Sequence, residues 1–151
     1  MIRNLIPNKV CLGCFGCCRF SEKDSVWPPH LLNSEEKVFK KIGLIFDPTG
    51  RNFLCSFLDP RKNKCRIYRQ RPFECRLYPF LLCRKGGKVF LSADLNCRYL
   101  EKHLQADKVK KYISSLLKFL NSKKFLKVLK DNPQIAQEYP GLVDIAEIGN
   151  A

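Results

Sequence analysis

Apolar and polar positions change their rhythm along this 151-residue chain. From about residue 100 the spacing is helical. In LEKHLQADKVKKYISSLLKFL, Val109, Ile113, Leu116, Leu117 and Leu120 recur at three- and four-residue steps, which places them on one helix face. Asn121-Ser122 interrupts that face. Ser122 is positioned to cap a second helix, KKFLKVLKD, which Asn132-Pro133 ends.

Between 51 and 92 the texture is that of short strands. NFLCSFLD and KCRIY are β-prone runs separated by the turn-like PRKN. LYPFLLCRKGGKVFLS reads as two strands joined at Gly86-Gly87, a strong hairpin signal. RQRPFECRLYP lies between these runs, and Pro72 and Pro79 make it an ordered turn region. Nearer the start, SEEKVFKKIGL predicts a helix capped by Asn33 or Ser34, with Glu35 and Glu36 in its first turn and Gly43 as its stop. Val38, Phe39 and Ile42 fall on one side of it, so it is expected to cover the core or a functional site. The fold class that follows is α+β: short β-hairpins and loops, then helices. Two parts are expected, residues 1–106 and a basic helical extension at 107–151 with an acidic tail.

Residues 10–20 follow neither rhythm. VCLGCFGCCRF holds Cys11, Cys14, Cys17 and Cys18, and the chain has nine cysteines in all. An odd count and a start without a signal-peptide core argue against a disulfide framework. No apolar run reaches the ~18 residues of a membrane span. The expected compartment is therefore the cytoplasm, where clustered cysteines bind metal or do redox work.

Zinc–thiolate bonds of ~2.3 Å in a tetrahedron set sulfurs about 3.8 Å apart. A two-residue gap lets the chain turn and present both thiolates to one ion, and Cys11, Cys14 and Cys17 are spaced this way twice over. The same double gap opens the Fe–S run of bacterial ferredoxins. Cys18 breaks the pattern. Neighbouring side chains diverge, so Cys17 and Cys18 suit two roles better than one. Cys17 is expected to complete a trio with Cys11 and Cys14, and Cys18 to face a second site. Cys55, Cys65, Cys75 and Cys97 supply the missing ligands, and Cys83 is surplus. Two four-thiolate sites imply about two metals per chain, whereas one four-iron cluster would leave half of the eight cysteines unligated.

CLGCFGCC, FLCSFLD, KCRIYRQRPFECRLYPF and DLNC together resemble the YkgJ-type cysteine-cluster family, over roughly residues 10–100. The resemblance implies a zinc- or iron-chelating domain. It selects Cys11, Cys14, Cys17, Cys18, Cys55, Cys65, Cys75 and Cys97 as metal ligands and leaves Cys83 out. The cofactor it implies is zinc or iron, a [4Fe–4S] cluster included. The same cysteine pattern occurs in larger proteins similar to the flagellin lysine N-methylase. Nothing here looks like a methyl-donor site such as a glycine-rich loop after a strand.

The formal charge is +14, with 28 basic and 14 acidic residues. Two divalent ions on eight thiolates add about −4 and leave about +10, so part of the basic excess can face an anionic cluster. Arg71 and Arg76 flank Cys75 and are expected to donate to thiolates or nearby carbonyls. Tyr68 and Tyr78 are expected to cover the site. His30 and His103 are read as surface or helix residues, Glu74 as solvated, Cys83 as a buried apolar residue and Trp27 as a packing anchor. Residues 107–130 carry eight lysines and one acid, and 131–151 carry four acids and no base, so the two are expected to fold together. The lysine face suggests nucleic acid, but few aromatics interleave with it, so RNA or DNA is not the favoured partner. No base–nucleophile pair for hydrolysis can be placed. Three readings stand in order: a metal-binding module with a structural or protein-interaction role, a redox Fe–S protein or cluster-dependent enzyme, and a nucleic-acid-associated protein.

Overall fold

A computed structural model describes residues 2, 5–40 and 42–149. In chain order the elements are α1 (Asn8–Leu12), β1 (Arg19–Phe20), α2 (Asn33–Phe39), β2 (Leu44–Asp47), β3 (Asn52–Cys55), β4 (Leu58–Asp59), β5 (Lys64–Cys65), α3 (Phe73–Leu77), β6 (Phe80–Lys85), β7 (Lys88–Ala93), α4 (Arg98–His103), α5 (Asp107–Leu120), α6 (Lys123–Asp131), β8 (Ala136–Gln137) and β9 (Val143–Ile148). The strands form three small sheets, β1-β3-β2, β4-β5 and β8-β6-β7-β9. The class is α+β, as the alternation of rhythms predicts.

The hairpin β6–β7 is the spine of the larger sheet. It pairs from Phe80↔Ala93 to Lys85↔Lys88. Gly86 and Gly87 turn it with φ of 54° and 78°, a left-handed pair that a two-residue hairpin turn requires. Alternation then divides the strand residues. Phe80, Leu82, Leu91 and Ala93 enter a core with Leu100, Val109, Leu116, Leu120, Phe125 and Ile148. Leu81 and Cys83 face the other way, onto Tyr139, Trp27 and Leu142. Both faces are covered, which is why FLLC is apolar without interruption. Trp27 stacks on Tyr139 at 5.3 Å, the anchoring role expected of it.

The helical third matches its sequence rhythm. α5 buries Val109, Leu116 and Leu120 and leaves its lysines outside. Ser122 caps α6, its Oγ accepting from the Phe125 N–H at 3.3 Å. The tail does not lie on those lysines. β9 pairs antiparallel with β7, and β8 runs parallel to β6. Asp144 then meets Lys85 at 2.7 Å, and Glu147 meets Lys88 at 2.9 Å. The open edge of β7 offers a row of backbone partners, and pairing there sets the acids beside the hairpin lysines. None of the eight lysines of 107–130 makes an ion pair among the described residues.

Three further readings are corrected. α2 starts at Asn33 without a side-chain cap and buries no residue, and Val38 is 72% exposed. It therefore covers neither core nor site, although Phe39 meets the edge of Phe57. The segment read as an ordered turn contains α3, with a 3-10 turn at Tyr68–Gln70 before it. Glu74 is 4% exposed rather than solvated. Among the described residues no helix is long and apolar enough to cross a membrane.

Candidate metal centre

α1 and the turn after it present the first cysteines. Cys14 N–H donates to Cys11 O at 3.1 Å, and Arg19 N–H to Gly16 O at 3.0 Å. These turns fold the loop back so that β1 can pair with β3, in the register Arg19↔Leu54 and Phe20↔Phe53. One residue earlier, Cys55 N–H donates to Cys18 O at 3.0 Å. Cys18 thus lies opposite Cys55, a cross-strand placement that brings side chains into contact range. A separate clamp holds the loop from the other side. Asn63, at φ 47° in the β4–β5 turn, donates through Nδ2 to Leu12 O and Cys14 O, each at 2.7 Å. Its Oδ1 accepts from Arg19 Nη1 at 2.7 Å.

The mutual influence of the thiols falls into two groups. Burial first, then the charges of Cys17, Cys97 and Cys14, push Cys11 up to about 11, while Arg71 opposes. Cys97 is raised by burial and then by Cys14 and Cys17. In the second group, Cys18 is raised by its hydrogen bond to Cys17, then by burial and by the charges of Cys17, Cys55 and Cys75. Burial, followed by Cys55, Cys17 and Cys65, raises Cys75. Cys55 and Cys65 are raised chiefly by burial as well. The hydrogen bond from Cys18 lowers Cys17, the exposed member of the doublet, and Arg71 and Arg19 add to that. Cys17 acts on thiols of both groups, so it, as well as Cys18, stands at the junction.

Backbone donors favour the thiolate forms. The N–H groups of Phe57 and Leu58 act on Cys55, that of Ile67 on Cys65, and those of Leu100 and Tyr99 on Cys97. Cys97 sits just before α4, where helical N–H groups point outward without partners. Arg71 supplies countercharge to Cys11, Cys17, Cys65 and Cys75. Its Nε donates to Tyr68 O at 2.9 Å, and its guanidinium lies over the Tyr68 ring at 3.9 Å. Arg76 turns away instead, toward Glu35 at 3.6 Å. Tyr78 feels Cys17 and Cys97, and its OH donates to Asp94 at 3.0 Å.

Two carboxylates, one read from the sequence as a first-turn acid and the other as solvated, hold the Cys75 helix. Glu35 accepts from the Leu32 N–H at 3.0 Å through one oxygen and from the Phe73 N–H at 2.7 Å through the other. It joins the starts of α2 and α3. Glu74 accepts from the His30 N–H at 2.6 Å and touches the His30 ring and the Tyr139 hydroxyl at 3.5 Å each. Burial raises the Glu74 carboxyl, and its His30 contacts oppose that. An acid in the first turn, Glu35, is the local mark of a helix start. Nothing local marked Glu74.

The other candidates lie elsewhere. Cys83 is fully buried beside Tyr139, with its Sγ 3.8 Å from Tyr139 O. His103 stacks on Tyr99, and its Nδ1 lies 2.7 Å from Tyr99 O. Among the described residues, no group of three or more Cys, His, Asp or Glu side chains is arranged, as it stands, to hold a metal ion. The donor set still suits zinc or iron in kind: soft thiols, N–H groups directed at three sulfurs, and a guanidinium among them.

A family model, CxxCxxCC, described as "Putative zinc- or iron-chelating domain", matches residues 10–112. The chain belongs to this family. An uncharacterized protein of Methanocaldococcus jannaschii is 39% identical over 72 residues, covering 44% of this chain and 40% of the relative. The chain thus spans about two-fifths of the length of that curated relative. No solved structure matches.

Proposed function

With that membership as premise, we propose that the protein is a cytoplasmic metal-binding module whose zinc or iron is held by Cys11, Cys14, Cys17, Cys18, Cys55, Cys65, Cys75 and Cys97. The observation that carries the reading is the influence of these eight thiols on one another, drawn from separate segments, while Cys83 packs in a different cluster. Cys11, Cys14, Cys17 and Cys97 form one four-thiolate set. Cys18, Cys55, Cys65 and Cys75 form the other. The Cys18–Cys55 strand register supports this division.

Two closed thiolate sites filled with zinc would be structural, whereas iron in a sulfide cluster would carry electrons. The chain's own part is to bring together sulfurs from distant segments, aim N–H groups at them and set Arg71 among them. Elemental analysis and the absorption spectrum of anaerobically purified protein test this. Two zinc per chain, or iron with absorption near 400 nm, is the expected result; protein purified with neither metal, and taking up neither, would overturn it. The exposure of Cys17 favours a second, redox reading, because solvent and oxidants reach the junction of the two sets. A cluster-dependent enzyme related to the methylase would be an extension of that second reading.

A further inference from the structure

The cysteine loop does not end in a polar surface. Leu12 is 47% exposed and Phe15 66% exposed, and both lie between the proposed ligands. The Arg19 guanidinium sits 4.7 Å from the Phe15 ring centroid. Two hydrogen-bonded seams set basic segments against this loop. Asn63 clamps Leu12 O and Cys14 O, which places Arg61, Lys62 and Lys64 beside the loop. Tyr68 OH donates to Asn8 Oδ1 at 2.6 Å, which brings Arg66 and Arg69 beside Lys9. Segments 5–20 and 60–73 contain no acid at all. None of their described cations joins an ion pair among the described residues. Of the acids bordering these segments, Glu22 and Asp24 are exposed just beyond Phe20, and Asp47 and Asp59 bind within their own exposed turns. Asp47 accepts from the Thr49 N–H and Oγ1, and Asp59 from the N–H groups of Arg61 and Lys62.

We propose that this face, with Leu12 and Phe15 at its centre and Lys9, Arg61, Lys62, Lys64, Arg66 and Arg69 around it, docks an acidic protein partner over the cysteine sets. The occupant follows from charge complementarity. A rim of unpaired cations around two exposed apolar side chains has the anatomy of a small, transient protein interface. Nucleic acid fits less well. Arg19 already stands against the exposed ring where a base would stack. The lysines of α5 and α6 flank one less exposed apolar side chain, Phe119 at 38%, and serve as the internal control. The proposal rests on the metal reading only for what the partner is brought to.

The test uses the full chain, metal-loaded, at low salt. A fluorescein-labelled twelve-residue peptide of alternating Glu and Leu is followed by anisotropy, beside a uridine dodecanucleotide and phosphatidylglycerol vesicles. The pair Lys62→Glu with Arg66→Glu is expected to weaken peptide binding about tenfold, and Phe15→Ser about threefold. The pair Lys110→Glu with Lys118→Glu should change it less than about twofold. Neutral Lys62→Gln with Arg66→Gln guards against misfolding and should give an intermediate loss. Equal weakening by the helix control, or tighter binding of RNA or vesicles that the 62/66 pair abolishes, would overturn the proposal. Metal is measured on the same samples. Absent metal with intact, 62/66-dependent peptide binding would sink the metal reading and leave the docking surface standing.

Discussion

The two halves of this protein are held together by different means. Residues 77–148 supply most of a continuous core, which Leu5, Ile6 and Phe73 also enter, and in it Leu77, Phe80, Leu82, Leu91, Leu100, Val109, Leu120 and Ile135 are almost wholly buried. Outside that core, residues 8–75 bury Phe20, Leu54 and Leu58 in two- to four-residue strands and Leu31 in a loop. In that half, side-chain clasps stand where packing is thin: Asn63 on the cysteine loop, Glu35 across two helix starts and Glu74 on the His30 segment. One half is stabilised mainly by apolar burial. The other depends on polar connections and, in our reading, on thiolate–metal bonds. The lesson is that loss of metal should act on one half first.

The largest test is metal removal followed by hydrogen exchange. Structural zinc sites contribute on the order of 10 kcal/mol to the small domains they organise. Protection in 8–75 should collapse while β6, β7 and α5 keep theirs. An equal loss in both halves would break the comparison. Next come Cys17→Ser and Cys18→Ser. Each should lose about half of the bound metal, from different sets, as shown by elemental analysis and by the spectrum of cobalt-substituted protein. Loss of the same site by both would merge the two sets into one.

In the other half, Leu120→Ala should cost about 2–5 kcal/mol by urea denaturation, because it empties a fully buried position. Metal content should not change. Glu35→Ala should cost about 1–2 kcal/mol, since the Leu32 and Phe73 N–H groups lose their acceptor. It should also weaken metal retention at the Cys75 set, and retention unchanged would confine Glu35 to helix capping.

The smallest effect is one of pH. Hydrogen bonds from Lys85 and Ser92 lower the Asp144 carboxyl below its ordinary range. A folded-state value below the unfolded one means stability that is present above the unfolded value and lost as pH falls through the folded one. Asp144→Asn should therefore show a shallower loss of stability from pH 5 to pH 2 in urea midpoints. The difference should be small, because solvent screens an exposed pair.

Much of the burial-stabilised half was legible in the sequence. The Gly86-Gly87 turn, the α5 face and the Ser122 cap are local signals, and each appears as read. β9 was not legible, because VDIAEI becomes a strand only when the edge of β7 is there to pair with it. α2 misled for the same reason in reverse: a helical face predicts burial only if something packs on it. The proposed chelating set shows the same split. Spacing and pattern singled out eight cysteines, but Glu35, Asn63 and Glu74 are recognisable as supports only once their distant partners are in place.

The sequence by itself determined the α+β class, the hairpin, the helical third, the family and the separation of Cys83 from the other cysteines. Those features are written in neighbouring residues, within the reach of a turn, a cap or a two-residue ligand gap. Only the tertiary structure decided that Cys97 lies within electrostatic reach of Cys11 and Cys14, that Cys18 lies opposite Cys55, and that Arg71 acts on Cys11, Cys17, Cys65 and Cys75. It also decided where the acids go: to Lys85, Lys88, and the backbone beside Cys75, not to the lysine helices. The physical reason is range. Charge and metal ligation act between groups that are close in space, and which groups are close is settled by strand register and core packing, not by position along the chain.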